Sequence, residues 1–377
     1  MPTATPTTAT QRRASSRNGP LWKIPIKNAT TTTINHFLGG GSAWTYQRHS
    51  FSSTEDNSKT ILSSHELVSL LEQELSHTMK VDTNPYELER HGRGESHHPT
   101  APPVAIVYPA SVQQVVEVVQ FCQRHNTPLI PFGVGTSLEG HVAATSSRPT
   151  ISLDTCLLQE MELPNFDKVD ERGDLVWPDL IATVGAGVTR HTLNNALRHT
   201  GLHFVVDPGA DATLGGMVAC GASGTTAVQY GTMRENIVAV QAVMANGNLV
   251  HAGTKALKNS AGYDLLGLWC GSEGTLGVIT SVTVKLHPIP QHVVALVCVF
   301  DNLYQAAQVV AALKFQSIPL SRCELLDTSS VVAFNQYNNS SSSSSESSRP
   351  PKMVEKPTLL LELQASSPTM LEELVKQ

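Results

Sequence analysis

Charge is scarce in this sequence: Asp, Glu, Lys and Arg make up 15% of its 377 residues, and the net charge is -6. A chain so weakly charged, and acidic rather than basic, lacks the electrostatic face that a polyanion needs, so nucleic acid is not expected as a ligand. Cysteine is sparse too. Cys122, Cys156, Cys220, Cys270, Cys298 and Cys323 lie far apart with no CxxC pair, mostly inside apolar stretches, and read as reduced, buried small hydrophobes of a reducing compartment. No apolar run is long enough for a membrane-spanning helix, so any membrane contact would be peripheral. No internal repeat is evident. What is present is 40% hydrophobic residues in a chain long enough for two domains, each with its own core.

The N-terminal region is also defined by a lack, because no acidic residue precedes Glu55. Ser and Thr are dense there, and the charges are Arg12, Arg13, Arg17, Lys23, Lys27 and Arg48. This is the composition of a mitochondrial or plastid presequence, with a disordered tail carrying no address as the alternative. Residues 1–55 are assigned to it.

Beyond that segment, Leu67, Leu70, Leu71 and Leu75 share helical spacing behind the possible caps Ser63 and Ser64, which predicts a leading helix up to about Lys80. Tyr86 to Pro103 mixes charge, histidine and proline and reads as a loop, so residues 60–100 form a helix and loop ahead of the first domain. Val104–Tyr108 is a β-favouring run. Ser111 can cap a helix whose Val115, Val118, Val119 and Cys122 share a face, and Leu129–Phe132 is a second strand. Further strands are expected at Thr150–Leu153, Ile181–Val184, Val238–Met244 and Val278–Leu286, with a helix at Arg190–His199. The alternation is α+β rather than a regular βαβ series. Near Pro288–Gln291 a fresh unit begins, with a strand at Val293–Phe300, a helix from Asn302 to about Phe315, and strands at Arg322–Leu326 and Thr358–Leu363. The boundaries drawn are 101–290 and 291–377. An unbroken serine run, Ser340–Ser345, sits in an expected mobile loop over 338–351, and the chain stops at Gln377 inside what reads as the opening of a helix.

Three glycine-rich segments carry the chemistry. In the first, the strand ending Pro131-Phe132 opens into Gly133-Val-Gly-Thr-Ser-Leu-Glu-Gly140, where glycines free backbone N–H groups to converge on an anion and Thr136 and Ser137 add hydroxyls. The Gly-Lys-Ser/Thr ending of a nucleotide-triphosphatase loop is missing, and GxGxxG fails because the third glycine falls at Gly140 with no helix after it. Asp154 lies at a tempting distance for a ribose ligand and is read as coincidence. The second segment, Asp207 to Gly231, concentrates Pro208, Gly209, Thr213, Gly215, Gly216, Ser223, Gly224, Tyr230 and Gly231. So many small residues cannot build much of an ordinary core, yet Leu214, Met217 and Val218 among them argue for burial. A large, flat ligand packed against bare main chain satisfies both facts. The third segment is Gly271-Ser-Glu-Gly-Thr-Leu-Gly277 with Val278-Ile279, again glycines before a strand.

In order and spacing these three segments resemble the FAD domain shared by vanillyl-alcohol oxidase and the p-cresol methylhydroxylase (PCMH) flavoproteins. Within that superfamily the chain is similar to the cytochrome-linked mitochondrial D-lactate dehydrogenases, on Pro131-Phe132, Leu138-Glu139-Gly140, Ala261-Gly-Tyr-Asp-Leu265 and Glu324-Leu-Leu-Asp327. The resemblance implies an α+β fold: a two-subdomain, PCMH-type FAD-binding domain followed by an α+β cap, or substrate, domain. It implies that Pro131, Gly133, Gly135, Thr136, Ser137 and Gly140 hold the FAD pyrophosphate. Pro208, Gly209, Thr213, Gly215, Gly216, Ser223, Gly224, Tyr230 and Gly231 would line the flavin and its chain, and Glu273, Gly274 and Ile279 would complete the site. Covalent attachment in the superfamily uses His or Cys, but this branch resembles the noncovalent members, and His97 and His98 read as solvent-exposed loop residues.

The activity implied is hydride transfer from C2 of a D-2-hydroxy acid such as D-lactate to the flavin, with cytochrome c reoxidising it in the mitochondrion. Glycolate and D-2-hydroxyglutarate are the alternative substrates, and a flavin-binding remnant without catalysis is the alternative outside enzymology. The family's metal-binding and catalytic His, Asp and Asn residues lie in the last third of the full-length protein. No His follows His292 here, so the cap domain is expected to be incomplete, and no catalytic or metal-ligating residue is assigned. Arg322 suits either a carboxylate clamp or a surface ion pair, with the ion pair preferred. Lys255 and Lys258 carry the same ambiguity.

Overall fold

The computed structural model describes residues 61–256, 258–340 and 351–376. The presequence assignment and the part of the serine-rich loop from residue 341 to 350 lie outside them.

The leading helix α1 (Ser64–Leu75) starts at a capping box: Ser63 Oγ accepts from Glu66 N–H, and Glu66 Oε2 accepts from Ser63 N–H at 2.8 Å. It buries Leu67, Leu71 and Leu75. β1 (Lys80–Asp82) follows, and then α2 (Pro85–His91). This second helix corrects the reading of Tyr86 onward as loop. Asn84 accepts from Tyr86 N–H as its N-cap, and Pro85 stands at the first helical position, where a missing N–H costs nothing.

Next come β2 (Ala105–Tyr108), α3 (Val112–Arg124), β3 (Leu129–Phe132) and β4 (Ile151–Asp154). They form a sheet in the order β1-β2-β4-β3, parallel except for β1, with α3 crossing between β2 and β3. Ser111 caps α3, whose Val115, Val118, Val119 and Cys122 are buried as the spacing predicts. Every residue of β2 and β4 is buried, as expected of central parallel strands covered on both faces.

The chain then runs through β5 (Met161–Glu162), β6 (Ile181–Gly185), α4 (Arg190–Leu197) and β7 (Leu202–His203). Three short helices follow, α5 (Leu214–Cys220), α6 (Ala227–Tyr230) and α7 (Met233–Asn236), leading to β8 (Ile237–Met244), β9 (Leu249–Gly253), α8 (Leu265–Trp269), β10 (Gly277–Lys285) and β11 (His287–Pro288). A second, antiparallel sheet has the order β5-β6-β10-β8-β9, while β7 pairs with β11. One hydrophobic core joins α1 and α3 to both large sheets, with Phe121, Phe204, Leu214 and Met217 among its fully buried side chains.

The last elements are β12 (His292–Val299), α9 (Leu303–Phe315), β13 (Leu320–Leu326), α10 (Thr328–Ser340), β14 (Thr358–Ala365) and α11 (Pro368–Lys376). β12, β14 and β13 form an antiparallel sheet in that order. A separate core of Ala306, Ile318, Leu320, Leu359, Leu361 and Leu363 holds them together. Residue by residue, β12 alternates between half-buried and exposed, the mark of a strand with one face to solvent. Helix α10 reaches into the segment read as a loop from residue 338.

Candidate cofactor site

The three glycine segments meet around one open cavity of about 430 Å³, a volume ordinary for small-molecule and cofactor sites. Its floor is the loop after β3. Gly135 has φ +73°, and a Cβ there would come within 3.0 Å of the Phe132 ring, so the turn needs glycine on two counts. Among the described residues, none of the five consecutive N–H groups from Gly133 to Ser137 donates to a protein acceptor. Bare donors on adjacent residues form an anion-binding concavity.

The wall is α5. Thr213 caps it by accepting from Gly216 N–H, while Leu214 N–H and Gly215 N–H donate to Val188 and Ala186 carbonyls at 2.8 and 3.0 Å. The helix start is therefore bonded to protein, and the free donors belong to the loop opposite. A Cβ on Gly215 would stand 2.6 Å from that of Ala186, so the small residues of this segment serve close packing as well as ligand access. The third segment docks on the same helix: Gly271 N–H donates to Val218 O and Glu273 N–H to Ala219 O, both at 2.9 Å.

Of the residues proposed from sequence, Pro131, Gly133, Gly135, Thr136, Ser137, Pro208, Gly209, Thr213, Gly215, Gly216, Glu273, Gly274 and Ile279 line this cavity. Gly140, Ser223, Gly224, Tyr230 and Gly231 lie outside its lining. Gly140, at φ +75°, lies against the His98 ring. Gly224 packs on Asp207, and Ser223 is exposed. Gly231, at φ +78°, precedes the capping box of α7. Tyr230 donates from its hydroxyl to Gln364 Oε1 at 3.1 Å, and its ring meets that of His287 at 4.8 Å.

Sequence reading missed Glu95, His141 and Cys220, which also line the cavity. Cys220 departs from the expectation of buried cysteines, since it is exposed, whereas Cys122 and Cys270 are buried. Burial pushes the Cys122 thiol up to about 12. Asp154 does not line the cavity. Its Oδ2 meets Nε2 of the fully buried His91 at 2.9 Å, behind Phe132. His97 and His98 are exposed and stacked on each other.

Arg322 forms a half-buried ion pair joining the two parts of the chain. Its guanidinium meets Asp207 Oδ2 at 2.7 Å and Glu362 Oε2 at 3.2 Å and also donates to the Thr225 hydroxyl. Burial works to raise the Asp207 carboxyl, but donors from Thr225, Thr226 N–H and Arg322 outweigh it and hold the group below the usual carboxylate range. Nearby, burial and then the Arg322 charge push His203 down, and burial does the same to His287. Lys255 makes an exposed 3.5 Å pair with Glu162. Among the described residues no cluster of His, Cys, Asp and Glu could hold a metal ion, and no helix is long and apolar enough to cross a membrane.

An α+β domain whose glycine loops converge on one cleft, followed by a smaller three-stranded domain, defines a two-part nucleotide-cofactor protein. Residues 103–253 match the FAD binding domain, and residues 289–377 match the C-terminal domain of FAD linked oxidases. In both parts the chain is therefore similar to FAD-linked oxidases. It is 41% identical over 288 residues to a probable mitochondrial D-lactate dehydrogenase of Danio rerio, an alignment covering 76% of this chain and 53% of the relative. To the mitochondrial D-lactate dehydrogenase (cytochrome) of Arabidopsis thaliana it is 35% identical, covering 79% and 48%. Glycolate oxidase subunit GlcD of Bacillus subtilis is 30% identical, with coverage of 62% and 48%. The chain thus spans about half the length of these relatives. The fold is shared with alkyldihydroxyacetonephosphate synthase at TM-score 0.65 and 21% identity, covering 82% of this chain and 59% of that one. BBE-like 1 of Physcomitrella patens follows at TM-score 0.57 and 18% identity, covering 82% and 58%.

The residues present fit FAD. The free amides of residues 133–137 suit a diphosphate, and Gly209, which lines the cleft, has open space where a Cβ would stand. Apolar Pro131, Ala212, Met217 and Ile279 offer surfaces for flat rings.

Proposed function

We propose that this chain is the cofactor-holding part of a mitochondrial FAD-dependent dehydrogenase that oxidises D-lactate to pyruvate and passes electrons to cytochrome c. The observation that carries the reading is the convergence of all three glycine segments on a single cleft. The named activities of the D-lactate dehydrogenases to which it is similar support the substrate, and their mitochondrial location supports the compartment, in keeping with the basic, Ser/Thr-rich N-terminal composition. Bound FAD would supply the hydride acceptor. The chain's own part is to hold the diphosphate on the amides of Gly133 to Ser137 through Pro131, Gly133, Gly135, Thr136 and Ser137. Thr213, Gly215, Gly216, Glu273, Gly274 and Ile279 shape the rest of the cleft and keep water from it. We assign Gly140, Ser223, Gly224, Tyr230 and Gly231 a supporting role in the surrounding backbone. The division into FAD-binding and cap domains near residue 290 belongs to the same reading.

Glycolate and D-2-hydroxyglutarate are the competing substrates, since relatives named for both exist. Purified chain should carry a visible flavin absorption band, and in the whole dehydrogenase that band should bleach anaerobically with D-lactate and not with L-lactate. A band that bleaches only with glycolate or D-2-hydroxyglutarate would reassign the substrate. A band that none of them bleaches would make the chain a flavin-binding protein without this activity.

A further inference from the structure

The cavity has an unusual charge balance for a site that takes a diphosphate. Among the described residues no Lys or Arg lines it, while two carboxylates, Glu95 and Glu273, do. Both are acceptors, and each opposes a dianion. Among the described residues His141 is the one basic side chain in the lining. It follows the floor loop directly, and Ser137 within that loop places its Oγ 3.4 Å from His141 Nδ1. Glu273 Oε2 lies 3.7 Å from the same nitrogen, and Cys220 Sγ lies 3.9 Å from Nε2. His141 is thus held between the floor loop, the C-terminal end of α5 and the third glycine segment, which are the three walls of the cleft.

We infer that His141 is a cofactor-binding residue that takes up a proton as FAD binds, supplying a positive charge that no Lys or Arg among the described lining residues offers. This rests on the reading of the cavity as an FAD site. The charged and titratable groups around the ring are Glu273 and Cys220 at its two nitrogens, Glu95 across the cavity, Glu139 two residues before it, and His98 against the adjoining Gly140. Glu273 Oε2 lies 3.7 Å from the ring, and a diphosphate on the loop amides beside Ser137 would bring a second and larger negative charge next to it. Imidazole is the one side chain whose ordinary titration lies near neutrality, so the coupling would fall in the physiological range. Phosphate recognition here therefore differs from that of an arginine or lysine site, whose charge does not vary with pH. FAD affinity would be set by pH through one side chain.

Calorimetric titration of the apo full chain with FAD, in buffers of different ionisation enthalpy, tests this directly. Between about pH 5.5 and about 8.5, across the ordinary imidazole range, a roughly tenfold preference of FAD for the charged ring gives net proton uptake that peaks near neutrality at about half a proton per FAD, with Kd rising about tenfold in total from the acid to the alkaline end. His141→Gln should abolish the uptake, flatten the profile and weaken acidic-side affinity about tenfold, as loss of one charge-assisted contact does. His141→Lys, permanently charged, should flatten the profile at the tight end, which keeps the test valid if the glutamine variant fails to fold. Glu273→Gln should retain the uptake, because the imidazole carries the proton. A wild-type profile without slope or proton uptake would overturn the inference, as would uptake that persists in His141→Gln or disappears in Glu273→Gln. A chain that binds FAD at no pH would overturn the cofactor reading itself, and this inference with it.

Discussion

Thr213 Oγ1 stands 2.5 Å from the point where any residue but glycine at position 133 would place its Cβ. Two glycine segments separated in sequence by four strands and a helix thus touch at one pair of residues, where the anion-binding loop meets the cap of α5. Gly133→Ala forces the loop or the cap to move. We expect a cost of about 1–3 kcal/mol, as for other overpacked sites, and a corresponding loss of about ten- to a hundredfold in FAD affinity if the strain falls on the loop. Thr213→Ala removes the obstructing oxygen but also the helix cap, worth about 1 kcal/mol. In the double variant the steric cost should vanish, so the two substitutions together should cost less than their sum. Flavin-fluorescence titration and thermal melts of the four proteins check this. An additive result would show that the contact does not constrain the loop.

The Asp207–Arg322 pair ties the glycine segment around residue 207 to β13 of the smaller domain. Because Asp207 is held below its ordinary range in the folded chain, its contribution to stability is complete above the unfolded carboxylate value of about 4 and is lost as pH falls through the lower folded value. Asp207→Asn should therefore lower the melting temperature at neutral pH, and the gap from wild type should narrow below about pH 4. A gap independent of pH would mean that the carboxylate charge contributes nothing.

Behind the floor loop, His91 Nδ1 faces the carbonyl of Glu87 at 2.8 Å and Nε2 faces Asp154 at 2.9 Å. The ring is thus held at both nitrogens, by a carbonyl on one side and a carboxyl on the other. Its face packs 4.2 Å from the Phe132 ring, which in turn supports Gly135. Asp154→Asn should destabilise the fold by about 3–5 kcal/mol, as breaking one side of a buried pair does. Asp301→Asn, which breaks the exposed pair with Lys356, should change nothing measurable. Urea denaturation of both variants makes the comparison, and equal small effects would show that the buried pair is not held as an ion pair.

Some of this protein was legible in its residues alone. The alternation of branched side chains and the Ser, Thr and Asn caps place α1, α3, α4, α9 and most strands, because local propensity and burial agree there. Helix α2 was hidden by the charged and histidine-rich stretch that follows Asn84-Pro85, although that dipeptide is itself a start signal. Helix α10, rich in Ser and Asn, carries no clear apolar period and gave no such sign. The glycine segments were visible because bare main chain at regular places has few other uses.

What the residues determined by themselves is that this chain folds as an α+β protein with three stretches of open backbone able to meet an anion and a flat ring system. Only the tertiary structure decided which of those residues face the cleft, set Tyr230 and Gly224 aside from it, and brought in Glu95, His141 and Cys220. The reason is physical. Glycine reports its conformational freedom through local sequence, whereas the neighbours of a side chain are fixed by strand pairing and helix packing across the whole core.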